Sequence, residues 1–403
     1  MRSAIPLLLA AVLTCAAAAA QPTPKEPLMH LYLGTYTGQK QSPQSRGIYH
    51  LTLDPQTGKL SEPELAAETT NPSFLAIHPT QPVLYAIGEV GEFKGEKVGM
   101  ASAFQIDPAT AKLTPLGEPQ STGGPGPAYV SVTPDGRVVL VANYGGGSVT
   151  GLPVNTDGSL GTPTKTIQHA GSGPNKKRQN EPHAHSINPA PGGMTERWTS
   201  AGIVAWAVAC DLGTDEIPVY AVQANGKLTH IDRETTKADA GGGPRHTAFS
   251  PDGKHAYVCN EMGNTVTAFA WDAAKASLIK IESTPTLPPG YTGLENTTAE
   301  VAVHPSGKFV YVSNRGHDSI AVFARDAETG QLTPAGHTPT GGSQPRHFAL
   351  SPDGRFLVAA NQKTHNVVVF TVDATTGALT PNGSEVRLAA PVCVRFVRDG
   401  LIK

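Results

Sequence analysis

GGPRHTAFSPDGKHAYVCNE (242–261) decides the fold. Apolar and small or polar residues alternate on both sides of a Ser-Pro-Asp-Gly turn, the pattern of two short antiparallel strands and not of a helix. Five more stretches share it: NPSFLAIHP, GPAYVSVTP, PHAHSINP, AEVAVHP and PRHFALSP. Their turn prolines stand at 79, 134, 189, 305 and 352, beside 251 in the first. Second strands follow as LYAIGE, VLVANY, AVACDL, AYVCNE, VYVSNR and LVAANQ. A repeat of roughly 50 residues built from such hairpins is the mark of a propeller.

Two half-hairpins remain. PVCVRFV (391–397) matches a first strand that lacks its partner, and LYLGTY (31–36) matches a second strand that lacks its own. Joined, they complete a seventh hairpin, so the expected fold is an all-β, seven-bladed β-propeller closed by pairing of its two chain ends, which hides the sheet edges. Two weaker strands after each hairpin, such as TVTAFAW and LIKIEST, bring each blade to four antiparallel strands. Five blades take nine positions from turn proline to the end of the second strand, as in 251 to 260. The stretch from 189 to 211 takes twenty-two, which places about thirteen extra residues, within MTERWTSAGIVAW, in one hairpin turn.

Before the ring, one basic residue (Arg2), an apolar stretch from Ile5 to Leu13 and small residues up to Ala20 read as a secretory signal. The expected organisation is therefore 1–20 signal peptide, 21–28 short linker and 29–403 one propeller domain, exported to the periplasm or secreted. Its apolar core is too short for a transmembrane segment. A lipoprotein anchored through Cys15 is the alternative. Cys210, Cys259 and Cys393 make no disulfide framework and read as small core residues. A formal charge of −2, from 31 Lys+Arg and 33 Asp+Glu, gives the whole surface no affinity for nucleic acid or an anionic membrane. Charge that matters must be local, and a monomer acting on a small molecule is expected.

In a blade, the start of the first strand and the end of the second lie at the same channel mouth. Counting six back from each turn proline puts Ser73, Ala128, His183, Arg245, Ala299 and Arg346 there, with His185 two further along the same face. The second strands end in Gly88-Glu89, Asn143-Tyr144, Asp211-Leu212, Asn260-Glu261, Asn314-Arg315 and Asn361-Gln362. Histidine, arginine and carboxylate thus gather in consecutive blades. Arginines can hold a carboxylate or phosphate, and a histidine or glutamate beside them can move a proton. Strand parity sends Glu300 away from the channel, into blade packing. The recurrent asparagines suit turn backbone, and His78 and His304, just before turn prolines, suit the surface.

The strings RQNEPHAHS (178–186), DLGTD (211–215), GGPRHTAFSPDGKHAYVCNE, AEVAVHPSGKFVYVSNRG (299–316) and QPRHFALSPDGRFLVAANQ (344–362) resemble the seven-bladed lactonase family, which includes bacterial 6-phosphogluconolactonase and the fungal carboxymuconate-cyclising enzyme. The resemblance runs from LYLGTYT to the last strand. It implies metal-free chemistry on a lactone, an anionic small molecule, with His185, Arg245, Glu261 and Arg315 as catalytic residues. His183, Arg346 and Arg178 are the expected substrate-binding neighbours. Met262, where a leucine commonly follows the Glu, and the long insertion depart from the family pattern. The leading expectation is an exported lactonase, a carboxylic ester hydrolase of the 6-phosphogluconolactonase type, with no cofactor. Alternatives are a muconate-type cycloisomerase on the same groups and a non-catalytic propeller binding a glycan or protein. Ca²⁺ on an axial ring of Asn, Asp and Glu is the rival cofactor reading, opposed by the neighbouring arginines.

Overall fold

A computed structural model of the chain describes residues 26–38, 45–194, 196–231 and 235–402. The expected signal segment, with Cys15, and most of the linker lie outside them. Seven sheets follow one another around a ring, each antiparallel. The fifth blade runs outward from the axis as Pro244–Phe249, His255–Asn260, Thr265–Asp272 and Ser277–Pro285. In the split blade the C-terminal strand Pro391–Phe396 is innermost and pairs with Met29–Thr35, Leu33 opposite Val394 and Gly34 opposite Cys393. The two half-hairpins therefore close the ring as expected.

Second strands are buried on both faces, as in VLVAN (139–143) and FLVAA (356–360), because each sheet is covered by a blade on either side. Fully burying one such Val, Leu or Phe side chain stabilises the fold by about 1.5–3 kcal/mol. A repeated polar tie adds direction. Tyr32, Tyr85, Tyr257 and Tyr311 each send a hydroxyl to a turn carbonyl of the next blade, those of Ala111, Gly158, Gly330 and Gly377. His78 and His304 belong to the same system and correct the surface expectation. Both are buried, and each Nε2 donates to the carbonyl of a neighbouring PDG turn, Gly136 at 3.1 Å and Gly354 at 3.0 Å.

The extra residues of the fourth blade form a short helix, Glu196–Ser200, and lengthen the second strand, Ile203–Asp211. Trp198 meets Trp206 edge-on at 5.0 Å, and the buried Trp206 indole donates to Ala273 O of the next blade. The insertion thus adds to blade packing, at the end of the hairpin opposite the channel mouth. Cys210, Cys259 and Cys393 are free and buried. Among the described residues, no helix is long and apolar enough to cross a membrane.

Candidate active site

Inner strands other than that of the second blade carry a β-bulge at the channel mouth, and the bulge aims the site. In the fifth blade Asn260 pairs with Pro244 and Cys259 with His246, which leaves Arg245 as the extra residue. Arg346 is skipped in the same way between Pro345 and His347, and Ala128 between Pro127 and Tyr129. In the fourth blade the pairs are Asp211 with Ala184 and Cys210 with Ser186, so the skipped residue is His185. A bulge frees one residue from the ladder and redirects its side chain. The count from Pro189 had put His183 in this class, whereas the register gives the place to His185.

A cavity of about 360 Å³ opens at this mouth, lined by Tyr36, Glu89, Ala128, Tyr144, Arg178, His185, Glu261, Arg315 and Arg346. Its size is within the range of small-molecule sites. Ala128, His185 and Arg346 are bulge residues. Tyr36, Glu89, Tyr144, Glu261 and Arg315 are the residues that close or follow the second strands. Tyr36, Glu89 and Tyr144 were not among the expected site residues. Their signal was available, since they occupy the same register position as Glu261 and Arg315.

Glu261 is the electrostatic centre. Its Oε1 accepts Arg178 at 2.8 Å, and its Oε2 accepts Arg245 Nε at 3.0 Å and Arg315 at 2.9 Å. Burial alone would raise this carboxyl, but Arg315 and Arg245, with His185 and Arg178, hold it well below the usual carboxylate range. It is a fixed anion and a poor proton acceptor. Arg245 is only 2% exposed and lies beneath the cavity, where it also donates to Ala299 O. Arg315 donates to Thr298 O at 3.0 Å, and its buried Nε has no hydrogen-bond partner among the described residues. A side chain on Gly316, at φ +122°, would meet Glu295 O at 2.3 Å, so glycine lets the neighbouring loop close over the turn after Arg315.

His185 is buried against Tyr144, with ring centroids 5.3 Å apart, and its Nδ1 has no hydrogen-bond partner among the described residues. Burial, followed by the charge of Arg245, pushes its pKa well below 6.5, so the ring is neutral at neutral pH. His183 lies outside the cavity lining. It stacks on Tyr144 at 4.5 Å, and its Nδ1 donates to Tyr144 O, so it backs that wall. Arg346 stands over the Tyr36 ring, whose hydroxyl donates to Glu89 Oε2 at 2.8 Å.

The loops that carry these groups are cross-braced. Asp215 Oδ1 accepts Gln179 Nε2 at 2.7 Å and Gly243 N at 2.8 Å, and its Oδ2 accepts Gly241 N at 2.7 Å. One carboxylate thereby joins the loop bearing Arg178 to the one that launches Arg245. Asp211 accepts the His183 amide at 2.8 Å and pairs with His169 at 2.6 Å. The asparagines 143, 260, 314 and 361 are buried; Asn260 bonds Thr267 of its own blade, and Asn143, Asn314 and Asn361 bond Thr122 O, Thr286 O and Thr340 O in the segments that lead in from the preceding blade, in keeping with a structural role. Among the described residues, no three His, Cys, Asp or Glu side chains are grouped to hold a metal ion.

The sequence model of the family described as "Lactonase, 7-bladed beta-propeller" matches residues 30–396. Over 368 residues the chain is 38% identical to the 6-phosphogluconolactonase of Bacillus subtilis, covering 91% of this chain and 98% of that one. It is 30% identical to the 6-phosphogluconolactonase of Formosa agariphila, covering 79% and 86%. The solved structure of the periplasmic gluconolactonase of Pseudomonas aeruginosa superposes with a TM-score of 0.82 at 32% identity, covering 92% of this chain and 99% of that one.

Proposed function

The chain belongs to the seven-bladed β-propeller lactonase family, a family of carboxylic ester hydrolases, and from that premise we propose that it is an exported lactonase opening a sugar lactone at the mouth lined by His185 and Arg346. One observation carries the reading: a neutral histidine and an arginine that forms no ion pair among the described residues face the same cavity, beside an ionised carboxylate that three further arginines hold in place.

In this reading His185 takes a proton from water as the water oxygen bonds to the lactone carbonyl carbon. General-base help of this kind is worth about 10²–10⁴ in rate. Negative charge then develops on the carbonyl oxygen, where Arg346 and Arg315 stabilise it; one such donor is worth about 10²–10³. On collapse the ring oxygen leaves with the proton returned from the imidazolium, and the product is a hydroxy acid. The four guanidiniums outnumber the two carboxylates, Glu89 and Glu261, so the mouth favours an anionic substrate and the acid that leaves. Glu261 orients the arginines and does not itself take the proton.

Export rests on residues 1–20, and the periplasmic gluconolactonase is a relative consistent with it. An unphosphorylated sugar lactone suits that compartment. The test is acid release above the uncatalysed rate on gluconolactones with and without phosphate, together with fractionation of cells expressing the full chain. Wild-type protein that opens none of them, or activity confined to the cytoplasm, would sink the corresponding half of the proposal.

A further inference from the structure

Beneath the cavity the channel axis is filled by side chains that the reaction described above does not use. Phe74 and Tyr129 stack 4.1 Å apart, and His246 meets both, at 5.5 and 4.9 Å. Between His246 and His347 lies Glu300, which parity had sent into blade packing. The correction has a simple cause. Asn314 pairs with Thr298 but Val312 pairs with Val301, so a bulge at Ala299 and Glu300 turns the carboxylate toward the axis.

The hydrogen-bond directions around Glu300 follow from its carboxylate, which accepts when ionised. His246 Nδ1 is 2.9 Å from Glu300 Oε2, so the ring proton sits on Nδ1; Arg245 Nη1 lies nearer Nε2, at 3.1 Å, than Nδ1, at 3.4 Å. The Val394 amide donates to His347 Nδ1, so that ring's proton sits on Nε2, which lies 3.1 Å from the same oxygen but off hydrogen-bonding alignment. Val301 N donates to Oε1 at 3.1 Å. Glu300 therefore receives N–H groups from its own blade and from the fifth, with the His347 ring beside it, and through His246 it touches the guanidinium that grips Glu261.

We propose that Glu300 is a positioning residue for lactone opening: through His246 it holds Arg245 against Glu261, and so sets the geometry of the arginine cluster beneath the substrate. This rests on the reading above. Burial raises the Glu300 carboxyl to about 7, while Arg395 and Arg245 pull it down. The other titratable groups around it are His246 and Cys259 of the fifth blade, His347 of the seventh, Tyr129 of the third and Cys393 of the split blade. Both histidines lie well below 6.5, chiefly through burial, and the cysteines and Tyr129 are raised by it, so Glu300 is the member of the group that titrates near neutrality. Ionised, it anchors His246 firmly. Protonated, it releases the chain that ends at Glu261.

The test is the pH profile of kcat/KM for the best lactone of the panel in wild type, E300Q and E300D. Wild type should show a rise with midpoint near pH 7; E300Q should lose that rise and about tenfold of the rate above it, and E300D should restore it. The same rise surviving in E300Q overturns the proposal. ¹⁵N-histidine NMR of the wild-type protein reads the network without substrate and without relying on a variant. His246 should be the Nδ1–H tautomer, with signals shifting about a midpoint near 7; a flat titration or the other tautomer overturns the proposal and leaves the lactonase reading standing. Absence of lactone opening beside the expected titration overturns that reading and leaves the network intact.

Discussion

The Arg346 guanidinium carbon stands 5.4 Å from the centroid of the Tyr36 ring, and among the described residues no carboxylate forms an ion pair with it. Arg178, Arg245 and Arg315 all spend their charge on Glu261. Arg346 is thus the guanidinium left for a ligand. R346A should lower kcat/KM by about 10²–10³, the worth of one donor to the developing oxyanion, while the thermal melt hardly moves, since the cation–π contact is worth about 0.5–2 kcal/mol. Steady-state kinetics and a melt check this. A melt lowered as far as that of E261A would contradict it.

Glu261 is the opposite case. E261A strands Arg245 and Arg315, which are 2% and 8% exposed, without their counterion. Breaking a buried pair by removing one partner costs about 3–5 kcal/mol, so E261A should lose both activity and stability in denaturant titration. R178A, with a side chain 38% exposed, should cost far less stability, about 1 kcal/mol or under. Equal losses in the two variants would argue against Glu261 as the hub.

His185 sets the acid side of the pH profile. Because burial and Arg245 depress its pKa, the free base persists below pH 6.5, and in E300Q, where the rise near pH 7 is removed, activity should fall only as pH drops through the lower folded value of His185. H185N should lose about 10²–10⁴ in kcat. An acid limb at or above 6.5 that vanishes in H185N yet persists in E300Q would refute the assignment.

Asp215 holds two loops at once. D215A should let Arg178 and Arg245 drift, and displacement of the order of 1 Å can cost about a hundredfold in rate. The loss should appear in kcat/KM measured well below the melting temperature. Wild-type kinetics in D215A would show that the loops aim themselves.

Glu300 also makes a stability prediction. Its folded pKa, about 7, lies above the ordinary 4.5, so the folded state holds its proton where the unfolded state has released it, and its contribution to stability falls as pH rises from about 4.5 to about 7. Relative to wild type, E300Q should gain across that window by up to roughly 3 kcal/mol and then level off. Paired denaturation curves at pH 5, 6, 7 and 8, approximately, read the difference. A gap that is constant with pH would mean Glu300 does not titrate there.

Much of the site could be read from the chain. Arg245, Glu261, Arg315, Arg346 and His185 follow from the hairpin register, and the structure brings all five into one cluster, Arg245 as its buried floor. Arg178 also reaches it, from a loop with no repeat to predict its direction. Tyr36, Glu89 and Tyr144 share the register of Glu261, and Glu89 its charge, but they lie outside the consecutive blades where histidine and arginine gather. Glu300 and His183 were misread for different reasons. Strand parity assumes an unbroken ladder, and the bulge at Ala299 and Glu300 breaks it. Proline counting assumes a turn proline, and Pro189 instead lies within the strand Ala184–Ala190, opposite Ala207, because the insertion lengthens that hairpin.

By itself the sequence determined the seven hairpins, the split blade and the end of the ring at which chemistry gathers, because turn prolines, glycines and two-residue alternation act over a few neighbouring residues. The tertiary structure alone decided which arginine stays free of an ion pair, which histidine faces the cavity and that Glu300 faces the axis. Those outcomes depend on bulges and on contacts between blades, where residues more than fifty positions apart in the chain, such as Arg245 and Ala299, meet within hydrogen-bonding distance.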